Sequence, residues 1–269
     1  MSSDTLALPD HLRLRNCRHG LMLYSPNDHY LGRMLELYGE FSEGEQDCFA
    51  KLLQPGMTVV EAGANIGAHT LGLARLVGHS GRVLAFEPQR PMFQLMCANL
   101  ALNGIDCVEP HWKALGSAPG SLLVPRIDVR LPANFGGLEL GGQQHGDDVP
   151  VATLDSFELR ACHLIKIDVE GMEAEVLRGA RATLARHRPV VYAENDRQGK
   201  SRELLQLLQE MGYRAFWHIP PYVRTPNFRE NDRNEYAGMV SINVLCIHRD
   251  TGHEVIGLRP AEPDAPWPI

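Results

Sequence analysis

The chain has 269 residues, 44% hydrophobic and 22% charged, a balance that excludes a disordered or collagen-like polymer. At about 150 residues per domain, that length allows one large domain or two small ones. With 26 basic against 33 acidic residues and a net charge of −7, a protein built to grip nucleic acid is excluded, because phosphate contacts need a basic face. No apolar run approaches the roughly 20 residues a bilayer span needs, so no membrane partner is expected. The opening MSSDTLALPDHLRLR lacks the basic start, apolar stretch and small-residue site of a secretory signal. Cys17, Cys48, Cys97, Cys107, Cys162 and Cys246 form no C-x-x-C pair. They read as free thiols, mostly buried, and the expected compartment is cytoplasmic.

Residues 1–41 read as an N-terminal extension of short irregular elements with one strand over 20–24. Ser42 and Glu45 have the spacing of a capping box, the serine accepting from the backbone N–H three residues on and the glutamate reaching back. A helix over 47–54 follows, and Pro55-Gly56 stops it. Strands then alternate with helices: strand 58–64, helix 68–77, strand 82–87, helix 91–102, strand 108–115. The pattern resumes with strand 164–168, helix 173–186, strand 189–193 and helix 201–211, and strands 213–219 and 242–248 complete it. Such alternation predicts an α/β fold with right-handed crossovers and a mostly parallel sheet carrying helices on both faces. The last two strands lack a helix between them, which predicts an antiparallel edge strand. The main domain is expected over 42–250. A proline-containing tail, 251–269, is expected as a surface strap or loose end. Two long segments, 116–149 and 220–240, interrupt the alternation as candidate lids.

Ligands of such sheets bind beyond the carboxyl ends of the strands, beside the first one. There the sequence reads Glu61-Ala62-Gly63-Ala64-Asn65-Ile66-Gly67, a strand, a glycine turn and a helix start, which presents backbone N–H groups. Glu87 ends the next strand, where a carboxylate can accept both hydroxyls of a ribose. A dinucleotide fingerprint would need glycine at Asn65, and Glu61 would repel a pyrophosphate. An acid beside the turn suits a cationic nucleoside instead, and S-adenosylmethionine (product S-adenosylhomocysteine) carries an ammonium, a sulfonium and a ribose. The alternatives are a ligand-free turn and an NAD-binding oxidoreductase. Glu61, Gly63, Asn65, Gly67 and Thr70 are expected at the methionine end, with His69 beside them, Glu87 at the ribose and Ala114 at the adenine rim.

Lys166, Asp168 and Glu170 share one phase of a strand. Charges in a central strand are costly unless paired, and Lys166 is placed to pair with Glu61. As catalytic candidates, Asp168 is the first choice of base, Glu170 the second and His145 an outside one, with Lys166 orienting a carboxylate. The alternative is an internal ion pair with Glu170 capping the next helix. Asp168, Glu194 and Asn195 end adjacent strands, and such oxygens suit Mg²⁺. A polar strand end without metal is the favoured reading. In segment 220–240, Tyr222 and Phe228 can stack on an acceptor, Asn227, Asn231 and Asn234 can read hydroxyls, and Arg224, Arg229 and Arg233 can hold an anion.

Several pieces together resemble the FkbM-type family of S-adenosylmethionine-dependent methyltransferases. They are residues 35–45 (LELYGEFSEGE, including Tyr38), 61–70 (EAGANIGAHT), Ala85-Phe86-Glu87-Pro88, Asn99 and Asn103, Thr153-Leu154-Asp155-Ser156, residues 165–179 (IKIDVEGMEAEVLRG) and Ser241-Ile242-Asn243. The family usually has Asp where Glu61 stands. The resemblance implies a class I, Rossmann-like fold with a seven-stranded sheet. It also implies methyl transfer, mostly to oxygen, with Tyr38, Ala64 and Pro88 joining the donor-binding residues. An O-methyltransferase acting on a small-molecule, sugar or natural-product hydroxyl is the expectation, an N-methyltransferase the alternative and a non-catalytic binding protein a third. A homodimer is compatible with the sequence.

Overall fold

The computed structural model describes residues 8–137 and 145–269. The chain opens with a hairpin, β1 (Arg13–Cys17) and β2 (Gly20–Tyr24), and continues through α1 (Leu31–Tyr38) and α2 (Glu43–Leu52). Then come β3 (Thr58–Ala62), α3 (Ala68–Val77), β4 (Arg82–Phe86), α4 (Arg90–Leu102) and β5 (Val108–His111). A side excursion holds β6 (Ala114–Leu115), β7 (Gly120–Val124) and β8 (Asp147–Ala152). The main alternation resumes with β9 (Leu164–Ile167), α5 (Glu173–Arg178), α6 (Arg181–His187), β10 (Val190–Glu194), α7 (Gln198–Glu210), β11 (Tyr213–His218) and β12 (Asn243–His248).

The main sheet has seven strands in the order β11-β12-β10-β9-β3-β4-β5, with β12 antiparallel to both its neighbours and the other pairs parallel. The antiparallel strand therefore lies one place in from the edge rather than at it: β11 crosses over to the outside and β12 returns between it and β10. The central strands are apolar on both faces, as strands covered by helices must be: Val59, Val60, Val83, Leu84, Ile165 and Ile167 are fully buried. One helix layer, with α2, α3 and α4, shares its core with the N-terminal hairpin, Met22 and Tyr24 packing in the same cluster as Leu71 and Met96. Asn99 stitches that hairpin on, accepting from the Leu23 N–H at 2.6 Å and donating to the Leu23 and Ile66 carbonyls. The other layer packs Leu177, Leu184, Leu204 and Leu208 against the opposite face.

Several local expectations change. Ser42 sits in the left-handed region at φ 45° with no cap hydrogen bond from its side chain, so the capping box does not form. Its hydroxyl instead donates to Glu45 Oε1 at 2.8 Å. The strand over 108–115 divides, its second half joining the three-stranded sheet β6-β8-β7. The helix over 173–186 breaks at Gly179, where a Cβ would lie 2.0 Å from the Gly116 carbonyl oxygen. The tail runs as a strap along β11, with Trp217 N–H donating to the Arg259 carbonyl, Ala261 N–H to the Ala215 carbonyl, and Trp267 against Trp217. No helix among the described residues is long and apolar enough to cross a membrane.

Candidate active site

At the carboxyl ends of β3, β4, β9 and β10 the strand-to-helix connections part around a cavity of about 420 Å³, within the usual size of small-molecule sites. Gly63 begins the first of these connections. At φ 84° it is left-handed, and a Cβ there would lie 1.7 Å from the Asp168 carbonyl oxygen. Only glycine lets the β3 and β9 ends come this close. Asn65 follows at φ 51°, and its backbone N–H donates to Glu87 Oε2 at 2.8 Å. The other Glu87 oxygen accepts from the Gln89 N–H at 2.7 Å. Both oxygens keep a lone pair for a ligand hydroxyl. Burial pushes the Glu87 carboxyl up to about 7 despite these two N–H donors.

Lys166 is the buried cation behind the next wall. Its Nζ donates to Asp168 Oδ2 at 3.1 Å, and β3–β9 pairing sets it opposite Glu61. Burial disfavours the ammonium, yet Asp168, Glu61 and Glu45 together outweigh that cost and raise its pKa. Glu61 is pushed up to about 7, chiefly by burial, with Lys166 and the Thr70 hydroxyl (2.6 Å) opposing. Glu45, from α2, is equally buried and accepts from Ser42 and Ser241 at 2.8 and 2.7 Å. Three carboxylates from three elements thus share one ammonium.

Beyond Asp168 the wall is acidic. Glu170 lies in the left-handed region at φ 57° and pairs with Arg197 at 2.6 Å. Burial raises its carboxyl to about 7. Asp168, Glu170 and Glu194 each bring one oxygen within 4.8 Å of the others. Over the whole cavity Asp28, Glu61, Glu87, Asp168, Glu170, Glu194 and Asp196 face Lys113, Lys166 and Arg197. The roof comprises Tyr30, Leu31 and Phe41 from the N-terminal region, Tyr222 and Met239 from segment 220–240, and Asn134, Gly136 and Gly137 from the glycine-rich segment.

The model of the methyltransferase FkbM domain matches residues 61–215. The chain belongs to the FkbM methyltransferase domain family. It is 31% identical over 143 residues to Methyltransferase 1 of Beauveria bassiana, covering 45% of this chain and 57% of that protein. It is 30% identical over 154 residues to Methyltransferase sdnD of Sordaria araneosa, covering 45% of this chain and 59% of that protein. The match thus spans less than two thirds of the length of either curated relative. In fold it is similar to a methyltransferase FkbM from Methylobacillus flagellatus KT, at 18% identity and a TM-score of 0.44, covering 74% of this chain and 50% of that one.

In this FkbM domain, Glu61, Gly63, Ala64, Asn65, His69, Glu87, Pro88, Ala114, Lys166, Asp168 and Glu170 all line the cavity. Tyr38, Gly67 and Thr70 stand behind it. The Tyr38 hydroxyl accepts from the Glu235 N–H, Gly67 starts α3 at φ 84°, and Thr70 is spent on Glu61. His145 is exposed and away from the cavity, and residues 138–144 of the glycine-rich segment lie outside the described residues. Of the Asp168, Glu194 and Asn195 grouping, Asp168 and Glu194 come together with Glu170, whereas the Asn195 amide is buried and donates to Ser201. None of the arginines and asparagines of 220–240 lines the cavity, and Arg224, Arg229 and Asn231 fasten the roof instead. Arg224 pairs with Asp47 at 2.8 Å and lies 3.5 Å from Glu40. Arg229 donates to the Leu35 carbonyl and Asn231 to that of Leu37. Phe228 lies under Arg18.

Two wall residues have no motif to announce them. Asp28 is buried and accepts from the N–H groups of Tyr30, Gly32 and Phe135. Gln89 donates to the Phe135 carbonyl at 2.9 Å while its Oε1 is buried without a partner. Both pin the glycine-rich segment over the cavity. Their only sequence signal was position, Gln89 two residues beyond the ribose candidate.

Proposed function

We propose that the chain is an S-adenosylmethionine-dependent methyltransferase that methylates a hydroxyl on a small-molecule acceptor. The observation that carries this is Glu87: a strand-end carboxylate on the cavity wall, fixed by the N–H groups of Asn65 and Gln89 and still able to accept from two ribose hydroxyls. Gln89, also on the cavity wall, keeps a buried Oε1 without a partner. The acidic lining suits a ligand with net positive charge.

The donor supplies an activated methyl group. Glu87 holds its ribose, Ala114 and Pro88 border the adenine, and Glu61, Asn65 and His69 face the methionine end. Burial holds the His69 imidazole well below its usual range, so it is neutral, and its Nε2 is unpartnered. Positioning does much of the work in such a transfer, and the roof of Tyr30, Phe41, Tyr222 and Met239 excludes water above the acceptor. Lys166 and Arg197 supply the positive charge beside Asp168 and Glu170 that a metal ion would otherwise bring, so the reaction is read as metal-free.

The test has two parts. Calorimetry with S-adenosylmethionine, S-adenosylhomocysteine and NAD should show binding of the first two alone. Mass spectrometry of a cell extract incubated with enzyme and isotopically labelled donor should then find an acceptor one methyl heavier, as a methyl ether. Binding of NAD and not of S-adenosylmethionine refutes the proposal, and a methylamine product moves it to nitrogen.

A further inference from the structure

Asp168 and Glu170 already have ion-pair partners, Lys166 at 3.1 Å and Arg197 at 2.6 Å. Glu194 has none among the described residues. It ends β10 directly alongside Asp168, since Ala193 is in register with Ile167. It lines the cavity, and its Oε2 is sealed from solvent without a hydrogen-bond partner. A buried oxygen left unsatisfied is costly unless a ligand or a proton completes it.

We propose that Glu194, rather than Asp168, takes the proton of the acceptor hydroxyl, and that it becomes ionised only when the cationic donor occupies the cavity. The inference rests on the methyl-transfer reading above. In the step, the acceptor oxygen forms its bond to the methyl carbon. The carbon–sulfur bond breaks with its electron pair staying on sulfur, and the hydroxyl proton passes to the Glu194 carboxylate.

The surroundings explain the gating. Asp168 follows β9, Glu170 lies in the turn before α5, and Glu173 is on α5 itself. Asp196 stands two residues along the chain. All four press on Glu194 as like charges, after burial the causes that raise its carboxyl well above the usual range. Opposing them are Lys166, committed to Asp168, and Arg197, committed to Glu170. Lys200 and Glu203 of α7 close the far side, and Tyr222 lies above. These like charges and the burial favour the neutral acid. A ligand carrying an ammonium and a sulfonium reverses the local balance and favours the carboxylate, which is then a base of raised proton affinity, the kind general base catalysis needs.

Donor binding must consequently release a proton. Calorimetric titration of the whole chain with S-adenosylmethionine, at neutral pH in two buffers of different ionisation enthalpy, reads that release directly. E194Q should release roughly one proton fewer per donor than the wild type and bind the donor at least about tenfold more weakly, because a ligand that ionises a group must prefer its ionised form. S-adenosylhomocysteine, lacking the sulfonium charge, should release fewer in the wild type. On the acceptor found by mass spectrometry, E194Q should lose at least about a hundredfold in turnover. Equal release from E194Q and wild type overturns the proposal, as does E194Q turnover within threefold of wild type. Absence of donor binding in the wild type would instead refute the methyl-transfer reading on which it rests.

Discussion

Lys166→Met removes the ammonium shared by Glu45, Glu61 and Asp168 while keeping much of the side-chain volume. Breaking a buried ion pair by deleting one partner typically costs about 3–5 kcal/mol, because the remaining charge is stranded. Asp168 is 36% exposed, and the others can take up protons, so the lower end, about 3 kcal/mol, applies here. For a chain of this size each kcal/mol shifts the melting temperature by roughly 2–4 °C, giving a drop of roughly 6–12 °C. The loss must depend on pH. Glu61 is already pushed up to about 7 with Lys166 in place, and removing the cation pushes it higher. A carboxyl whose folded value exceeds its unfolded one contributes stability that is full below the unfolded value of 4.5 and is lost as pH rises through the folded value. The deficit of the variant should therefore be smallest at pH 5.5 and largest at pH 8, where stranded carboxylates must ionise or hold their protons against the solvent. Thermal and urea unfolding at pH 5.5, 7 and 8 measure it. A deficit below 1 kcal/mol, or one of equal size at all three values, would refute the shared-ammonium reasoning.

Glu87→Gln should weaken S-adenosylmethionine binding by roughly ten- to hundredfold, the worth of about 1.5–3 kcal/mol for a charge-assisted hydrogen bond; unchanged affinity by calorimetry removes Glu87 from the site. Glu87→Ala should also lower stability, because it strands the N–H groups of Asn65 and Gln89. Methyl transfer should survive EDTA, and activity abolished by chelation and restored by Mg²⁺ would recast the acidic wall as a metal site. Arg229→Ala should lower the melting temperature while leaving the acceptor KM within about twofold, whereas Tyr222→Ala should raise that KM severalfold; the opposite pattern in steady-state kinetics would return the acceptor contacts to the arginines.

The alternation of strands and helices was legible because each element carries its own period, and the turn between β3 and α3 because Gly63 answers to a single steric fact. That Lys166 needs a carboxylate was legible too, since a charge in a central strand has few ways to be tolerated, but its ion pair is with Asp168 and not with the expected Glu61, which stands opposite on β3. What the sequence concealed is long-range. The capping box at Ser42 obeys a local rule, but Ser42 turns left-handed and Glu45 accepts from its hydroxyl and from that of Ser241, 196 residues away. Arg224, Arg229 and Arg233 read as ligand-facing in the sequence because a flexible cation advertises charge and not direction. Two of them turned out to fasten the roof, Arg224 through the acids at 40, 43 and 47. Asp28 and Gln89 belong to no motif, and only folding brings them to Phe135. Glu194 looked like a metal ligand beside Asn195, yet one residue along the strand the side chain points to the other face, which sends the amide to Ser201.

The same fastening bears on how such a chain can change its acceptor. The roof is assembled from α1 and α2 at one end of the chain and 220–240 near the other. It is sewn together by Arg224 to the α2 acids, Phe228 N–H to Glu40, Asn231 to Leu37 and Glu235 to Tyr38. Mechanically these distant stretches are one part. A graft of either alone from a relative would bring donors and carboxylates whose counterparts stayed behind, whereas the two exchanged together would carry their own seam. Diversification of specificity on this scaffold is thus a matter of paired inheritance, with the sheet and its donor-facing turns left as a common chassis.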